Sequence, residues 1–143
     1  MTNVIINRSD LGLPDFQIGG LEPFAATCFT QPQQLDLCAY RGDSGRFRLT
    51  VTEEDGITPI DVSSATWDAD IRTSVDEEAE AGSFEVVPVA GMTNAVDVIL
   101  TAGLSATLND GPYVYDVEMT MGIEVTTLVV GVLTVTKDVS RTP

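Results

Sequence analysis

The side chains that could carry chemistry in this chain of 143 residues do not assemble into a catalytic set. The sequence contains no histidine, which removes the commonest general base, the commonest zinc ligand and the middle member of a serine or cysteine triad. Ser44 and Ser63 therefore have no histidine to activate them. Carboxylate pairs could serve a glycosidase, but a sugar-binding cleft is usually lined by aromatic residues, which make up 6% of the chain. We expect a protein that is not an enzyme.

The candidate metal ligands are acidic residues and two cysteines. Asp68 and Asp70 lie two positions apart, hence on one face of a strand, and a further acidic group follows at Asp76, Glu77, Glu78 and Glu80. Calcium prefers such hard oxygen ligands, but the D-x-D-x-D-G loop is missing. Cys28 and Cys38 lack CxxC spacing, and two sulfurs without histidine make a poor zinc site. We expect no metal and no cofactor, a solvated acidic face, and two reduced cysteines.

Arg41-Gly42-Asp43 has the sequence of an integrin-binding tripeptide. Glycine and aspartate are also the residues that shape a turn before a strand. Because a strand pattern begins directly after this tripeptide, the turn interpretation is preferred to the adhesive one.

The net charge of −15 limits the class of partner. An acidic surface repels a phosphate backbone, and an anionic membrane surface equally, so we expect binding neither to nucleic acid nor to membranes. The longest apolar run, from Leu128 to Leu133, is far shorter than the roughly 20 residues of a membrane span. The first residues show no secretory signal pattern, so the sequence predicts a protein that begins in the cytoplasm of its host.

The pattern changes near Tyr40, which predicts an extended N-terminal arm over residues 1–40 and a β-domain over residues 41–143. The first part is interrupted by proline and glycine, and its apolar residues keep neither the strand nor the helix period. An arm of this kind would bury its side chains on a surface, its own or a neighbour's. Edge strands folded onto the same domain are an equally open alternative for part of the segment. The arm residues expected at contacts are Phe16, Ile18, Leu21, Phe24 and Phe29.

From Arg41 onwards, short alternating segments separated by turn residues indicate strands. The clearest are centred on Phe47, Trp67 and Tyr115, and the final segment to Thr136 is predicted to form a hairpin with the one before it. The stretch from residue 101 to 110 is the only helical candidate. Six to seven strands at this spacing predict an all-β fold, an antiparallel immunoglobulin-like β-sandwich or a squat barrel. Gly131 is expected to be a bulge or a point of close approach.

The order of these signals resembles a known family, the small β-domain of structural proteins in long-tailed bacteriophages, including the N-terminal domain of siphophage upper baseplate proteins. The resemblance spans residues 41–141. It depends on Arg41-Gly42-Asp43 before the Phe47-Arg48-Leu49 strand, Asp55-Gly56, Ile57-Thr58-Pro59-Ile60-Asp61-Val62-Ser63, the strand from Trp67 to Arg72, Leu104-Ser105-Ala106-Thr107-Leu108, Gly111-Pro112-Tyr113-Val114-Tyr115-Asp116-Val117 and Gly131-Val132-Leu133-Thr134-Val135. Members that recognise host receptors usually do so through a separate C-terminal module, so the resemblance implies a scaffolding role here.

The resemblance leads to a hypothesis of function: a non-enzymatic virion structural protein, a minor tail or tail-tip component assembled in the host cytoplasm. Its partners would be other virion proteins, including copies of itself. The arm would hold neighbouring subunits, and Arg46, Arg48 and Arg72 could pair with an acidic surface on a partner. A capsid decoration protein would need the same β-domain and arm, so the sequence does not separate the two locations.

The alternative class is a small carbohydrate- or receptor-binding β-module. It would use Trp67, Tyr113 or Tyr115 as a stacking platform. Strand alternation places Trp67 with Ala69 and Ile71, and it places the two tyrosines on one face with Val117 and Met119. All three rings are therefore expected to be in the core, which favours the structural role.

Overall fold

The computed structural model describes residues 3–7, 16–17, 32–53 and 55–137, and for the first two of these ranges it describes the backbone. Its elements in chain order are β1 (Asn3–Asn7), β2 (Phe16–Gln17), β3 (Gln33–Gln34), β4 (Leu37–Tyr40), β5 (Gly45–Thr52), β6 (Thr66–Asp68), β7 (Asp70–Arg72), β8 (Gly82–Ser83), β9 (Glu85–Pro88), β10 (Ala95–Leu100), α1 (Ala102–Thr107), β11 (Gly111–Met121) and β12 (Glu124–Thr136). The expectation of an all-β fold is confirmed.

The strands form two sheets that share one hydrophobic core. Sheet A has the order β2-β1-β5-β10-β9, and all its pairings are antiparallel. In sheet B, β12 lies between β11 and the pair β3 and β4, while β6 and β7 pair with the other edge of β11 and β8 follows β7. Pro88 lies in β9 at the end of the sheet A order, where a proline is tolerated because it has no N–H to donate to a ladder.

Alternation produces the core face of each long strand. Phe47, Leu49 and Val51 of β5 are buried, while Arg46 and Arg48 point away from the core. The same alternation in β11 buries four residues, Tyr113, Tyr115, Val117 and Met119. Full burial of each large apolar side chain contributes about 1.5–3 kcal/mol, so this shared core is the main source of stability.

The predicted hairpin is present as β11 and β12. Its register runs from Gly111 opposite Val135 to Met121 opposite Glu124, and it shifts once between Val117 and Glu118, where an irregularity interrupts the ladder. Gly122 has φ +64°, a conformation that a turn requires and that glycine adopts without steric cost. Because β12 has neighbours on both sides, it lies centrally in sheet B.

Two parts of the fold expectation are wrong. Sheet B is mixed, because β3 and β4 pair with β12 in parallel. In addition, residues 41–137 contain eight strands, β5 to β12, rather than six to seven, and the described parts of the predicted arm contain four more. The additional strands are mostly two to four residues long, too short to show a period in sequence, and tertiary pairing alone defines them. The strand predicted around Trp67 is divided into β6 and β7 on either side of the buried Ala69.

Residues 33–40 belong to the β-domain, so the predicted boundary after Tyr40 does not separate them from it. Leu35, between β3 and β4, is buried in the core, and its N–H donates to the Val130 carbonyl at 2.9 Å. Its carbonyl accepts a hydrogen bond from the Tyr115 hydroxyl at 2.5 Å. Further upstream, β1 adds to the edge of β5 in sheet A. These segments follow the alternative of strands folded onto the same domain; residues 8–15 and 18–31 lie outside the described structure.

Gly131 is the point at which residues 33–40, which run parallel to β12, come into close contact with that strand. A Cβ atom built on Gly131 would lie 1.9 Å from the Leu35 carbonyl oxygen and 2.7 Å from the carbonyl carbon. Both atoms are backbone and cannot rotate away. The predicted close approach is therefore confirmed, and only glycine fits.

The one predicted helical segment contains α1, which joins sheet A to sheet B. Thr101 caps it by accepting a hydrogen bond from the Leu104 N–H. Ser105, fully buried, accepts from the Gly42 N–H at 2.9 Å and donates to the Tyr40 carbonyl at 3.2 Å. The helix thus fixes the turn that leads into β5. Within the described ranges, no helix has the length and apolar character needed to span a bilayer.

Candidate functional site

The two sheets terminate together at both of their ends, which gives the domain two distinct poles. At the first, which we call the cavity end, Gly45 of β5, Leu100 of β10 and Thr136 of β12 line one cavity of about 310 Å³. At the second, which we call the turn end, Trp67 of sheet B and Ala95 of sheet A line another. The turns after β5, before β10 and between β11 and β12 project from the turn end.

The cavity at the cavity end is mainly apolar. Its apolar lining consists of Leu37, Ala39, Phe47, Phe84, Val98, Leu100 and Leu133. The exposed residues Tyr40, Asp43, Ser44 and Arg46 form part of its wall. Two more basic residues lie beside the mouth: the Arg41 N–H donates to the Thr136 carbonyl, and Lys137 follows Thr136 directly.

The Arg-Gly-Asp tripeptide forms part of this wall as a turn, as the sequence predicts. The Asp43 N–H donates to the Tyr40 carbonyl at 2.9 Å, and Gly42 has φ +94°. Arg41 Nε donates to the Ala106 carbonyl at 3.2 Å. The tripeptide is thereby tied to α1, which supports its structural interpretation.

The turn end exposes large apolar side chains. Ile123 in the hairpin turn is 99% exposed, Ile57 after β5 is 81% exposed, and Val125 is 59% exposed. Met92, in the turn before β10, is also exposed. Tyr40 and Val75 are the other exposed large apolar side chains among the residues that the structure describes, and they lie elsewhere.

The charged residues of the turn end are acidic. Glu53, Asp55, Asp61 and Glu124 are all exposed there. The Asp55 carboxylate accepts hydrogen bonds from the Thr58 hydroxyl at 2.6 Å and from the N–H groups of Thr58 and Ile57 at 2.8 Å, and these bonds lower its pKa. Asp55 is therefore ionised at neutral pH.

A second acidic feature covers the outer face of sheet B. Asp68, Asp70, Asp116 and Glu118 line a shallow groove there, together with Arg72. Burial raises the pKa of Asp116, and the Asp70 carboxylate raises it further; burial and then Asp116 raise the pKa of Glu118. Sequence reasoning found the first two residues but not the last two, because the pairing of β11 with β6 and β7 brings them together across strands.

This acidic face does not constitute a metal centre. In the part of the chain that the structure describes, no group of three or more acidic or cysteine side chains is arranged to hold a metal ion. Cys38 is a free, exposed thiol, and Cys28 lies outside the described residues.

The three arginines predicted to meet a partner are not brought together. Arg48 binds Asp97 through two hydrogen bonds, at 2.9 and 3.3 Å, on the outer face of sheet A, and the bond to Asp97 raises the pKa of Arg48. Arg72, on the outer face of sheet B, binds Asp70 and the carbonyls of Glu77 and Glu78. Arg46 lies at the mouth of the cavity. Two of the three are thus held by bonds within the chain.

The predicted arm contacts fall mostly outside the described structure. Ile18, Leu21, Phe24 and Phe29 are among the residues that the structure does not describe, and Phe16 is described by its backbone, which pairs with Ile6. Their predicted role in contacts between subunits stays a prediction.

The three aromatic residues of the alternative binding platform lie where alternation places them. Tyr113 and Tyr115 are buried, and Tyr115 packs edge-on against Phe84 with ring centroids 5.3 Å apart. Trp67 is half-buried against the core. A platform of these three rings is therefore not presented to solvent.

Comparison with known proteins adds no relative: no protein-family model matches the sequence, and no curated protein matches it.

The sequence analysis did not predict the two poles described above. Ile57, Ile123 and Val125 belong to or border on turns, and nothing in a linear pattern shows that three separate turns project from one end.

Proposed function

We propose that this chain is a non-enzymatic structural protein of a bacteriophage particle, a minor tail or tail-tip component of the baseplate, which acts by holding neighbouring subunits. The observation that supports this best is the turn end. Ile57, Ile123 and Val125 are exposed there at one end of the β-domain. Exposed apolar groups gathered at one place mark surfaces for interaction with other proteins.

The sequence resemblance supports the phage assignment. Among the segments on which the resemblance depends, the Arg41-Gly42-Asp43 tripeptide precedes β5, the Asp55-Gly56 turn follows β5, and Gly131 lies inside β12. These quoted segments therefore fall at coherent positions of one β-domain. The finer description, an immunoglobulin-like β-sandwich, belongs to the same proposal, and two sheets around one core support it.

The proposal includes a second contact, made by the N-terminal arm. In this second contact, Phe24 and Phe29 pack against a neighbouring subunit. Each would contribute about 1.5–3 kcal/mol if fully buried there. Because residues 33–40 are part of the domain, a deletion test must spare them, and substitutions are preferable to truncation.

The decisive experiment asks whether the chain is a component of particles. Phage particles from the natural source are purified by density gradient, and their proteins are identified and quantified by mass spectrometry. We expect this chain in a fixed small number of copies per particle, and gold-labelled antibodies should mark the tail tip. Label on the head would instead indicate a decoration protein. If the chain stays in the supernatant while particles are complete, the proposal is wrong.

The arm contact has its own test within the same assay. A chain with Phe24→Ser and Phe29→Ser should enter particles less well than the wild type while remaining folded. The matched control, Val75→Ser, removes an exposed apolar side chain from a loop outside the turn end. Equal incorporation of both variants and the wild type would show that the arm residues are not contacts.

A further inference from the structure

The exposed apolar side chains of the turn end stand on turns that hydrogen bonds hold in place. In the turn after β5, the Glu53 N–H donates to the Thr58 carbonyl at 2.8 Å, and the Asp55 carboxylate accepts from the Ile57 N–H at 2.8 Å. The Met92 N–H is likewise bonded within its own turn. Side chains displayed on ordered turns lose less conformational freedom when a partner binds, so this surface is prepared for docking.

The turn between β11 and β12 carries the most exposed of these side chains. Gly122, with φ +64°, forms the turn, and Ile123 and Val125 follow it with most of their surface in solvent. Four of the six exposed large apolar side chains that the structure describes therefore lie at the turn end. Apolar side chains scattered singly over a surface are ordinary, whereas a group of them marks a contact with another protein.

The charges around these apolar side chains have one sign. Glu53, Asp55, Asp61 and Glu124 are exposed at the turn end. None of the five basic residues that the structure describes belongs to the turns of this end. A partner that covers the apolar group must approach these carboxylates, so its own charges at the edge of the contact must be positive.

A second copy of this chain does not supply such a surface. The chain has 22 acidic residues against 7 basic ones. Among the described basic residues, Arg48 and Arg72 are already bonded to Asp97 and Asp70, and the other three lie at the cavity end together with acidic residues such as Asp43. Two turn ends facing each other would bring only like charges together. The occupant is therefore a different protein.

We infer that the turn end docks into an apolar recess on a different protein, and that lysine or arginine side chains surround this recess. Ile57 and Ile123 enter the recess and supply most of the affinity, while the carboxylates at the edge guide the approach and exclude acidic partners. This inference rests on the proposed function and deepens it, because it gives the chemistry of the neighbouring subunit that the turn end holds.

The first experiment finds the partner by photocrosslinking. Ile123 is replaced by p-benzoylphenylalanine in the full chain, which is expressed in the natural source, and crosslinked peptides are identified by mass spectrometry after irradiation. We expect one discrete adduct with a protein other than this chain, formed at an apolar position with lysine or arginine residues around it. The same photoreactive residue in place of Val75, which is exposed outside the turn end, is the matched control and should not give this adduct.

The second experiment measures the affinity of the purified full chain for the crosslinked protein by titration calorimetry. Ile123→Ser should weaken binding by about tenfold to a hundredfold, the equivalent of losing one buried isoleucine. Val75→Ser should bind as the wild type does.

Charge reversal tests the basic edge of the recess. Glu53→Lys combined with Glu124→Lys should weaken binding by about tenfold or more at low salt, and by less at high salt, where charges are screened. Glu77→Lys combined with Glu78→Lys changes the net charge by the same amount in an exposed loop outside the turn end, and it should leave the affinity close to that of the wild type.

The inference is overturned by an adduct between two copies of this chain, by the absence of any adduct, or by a crosslink at a site without basic neighbours. It is also overturned if both charge reversals weaken binding equally. A chain found in particles whose binding ignores charge at the turn end would refute the inference and leave the proposed function standing. A partner with the expected basic recess that belongs to the cell and not to a particle would do the reverse.

Discussion

Replacing Gly131 by alanine adds one methyl group at the point where residues 33–40 pack closely against β12. The new Cβ would lie 1.9 Å from the Leu35 carbonyl oxygen, well inside van der Waals contact. Gly131 does not require a positive φ, so the clash is purely steric. Either β12 or the chain around Leu35 must move.

The expected cost has two parts. Overpacking a tightly packed interior costs about 1–3 kcal/mol. A shift of Leu35 also separates its carbonyl from the Tyr115 hydroxyl, now 2.5 Å away, and leaving one buried polar group unpaired costs about 1–3 kcal/mol. We therefore expect Gly131→Ala to lower the free energy of unfolding by about 2–5 kcal/mol. That is a large fraction of the roughly 5–15 kcal/mol of a typical domain.

Urea denaturation followed by tryptophan fluorescence measures this loss, since Trp67 is the only tryptophan. Gly103→Ala is the matched control, because its Cβ would meet no atom within 4 Å and the residue lies in α1. Alanine is the better helix former, so this control should gain up to about 1 kcal/mol. Tyr115→Phe removes the hydroxyl, and its effect should not add to that of Gly131→Ala because both act on Leu35.

A Gly131→Ala protein within about 0.5 kcal/mol of the wild type, the size of an ordinary surface substitution, would refute the reasoning. It would mean that the segment around Leu35 does not pack on β12 in solution. Residues 33–40 would then not be part of the β-domain.

Two further predictions concern polar groups. Asp116→Asn should raise the free energy of unfolding at neutral pH by about 0.2–1 kcal/mol, the scale of like-charge pairs in sheets, because burial and the Asp70 carboxylate disfavour the ionised form. The pKa of Asp116 is higher in the folded state than in the unfolded state. The gain in unfolding free energy should therefore be absent below the unfolded-state pKa and complete above the folded-state pKa. Urea denaturation midpoints measured across the acid range will show this. Ser105→Ala should cost about 1–3 kcal/mol because the Gly42 N–H loses its acceptor and the Tyr40 carbonyl loses one of its two donors, keeping the Asp43 N–H.

The Ser105→Ala prediction has a control on the same helix, and the Asp116→Asn prediction is checked by its pH dependence. Thr107→Ala removes an exposed hydroxyl in α1 that donates to the Leu104 carbonyl of the same helix, so it should be close to neutral. If Ser105→Ala is equally neutral, the link between the helix and the turn before β5 contributes nothing. For Asp116→Asn, a gain that persists unchanged at acid pH would show that charge is not its cause.

Individual strands were predictable where alternation extends over several residues. The patterns around Phe47 and Tyr115 fixed which face of β5 and β11 is buried, because side chains in a strand point to opposite faces in turn. The hairpin of β11 and β12 and the close approach at Gly131 were predictable too, the second because glycine is the residue that permits a close backbone contact. The burial of Tyr113 and Tyr115 followed from the same alternation.

Alternation could not reveal pairing between distant segments. The parallel addition of β3 and β4 to β12, and the grouping of Asp116 and Glu118 with Asp68 and Asp70, depend on contacts across the sheet.

The sequence by itself determined that this is an acidic all-β protein without histidine chemistry, because composition and period are properties of the chain alone. Only the tertiary structure decided that its turns with Ile57, Met92 and Ile123 share one pole and that a mainly apolar cavity lies at the other. The physical reason is that a pole is formed where the ends of several strands coincide, and the ends coincide only once the sheets have paired and packed around a common core.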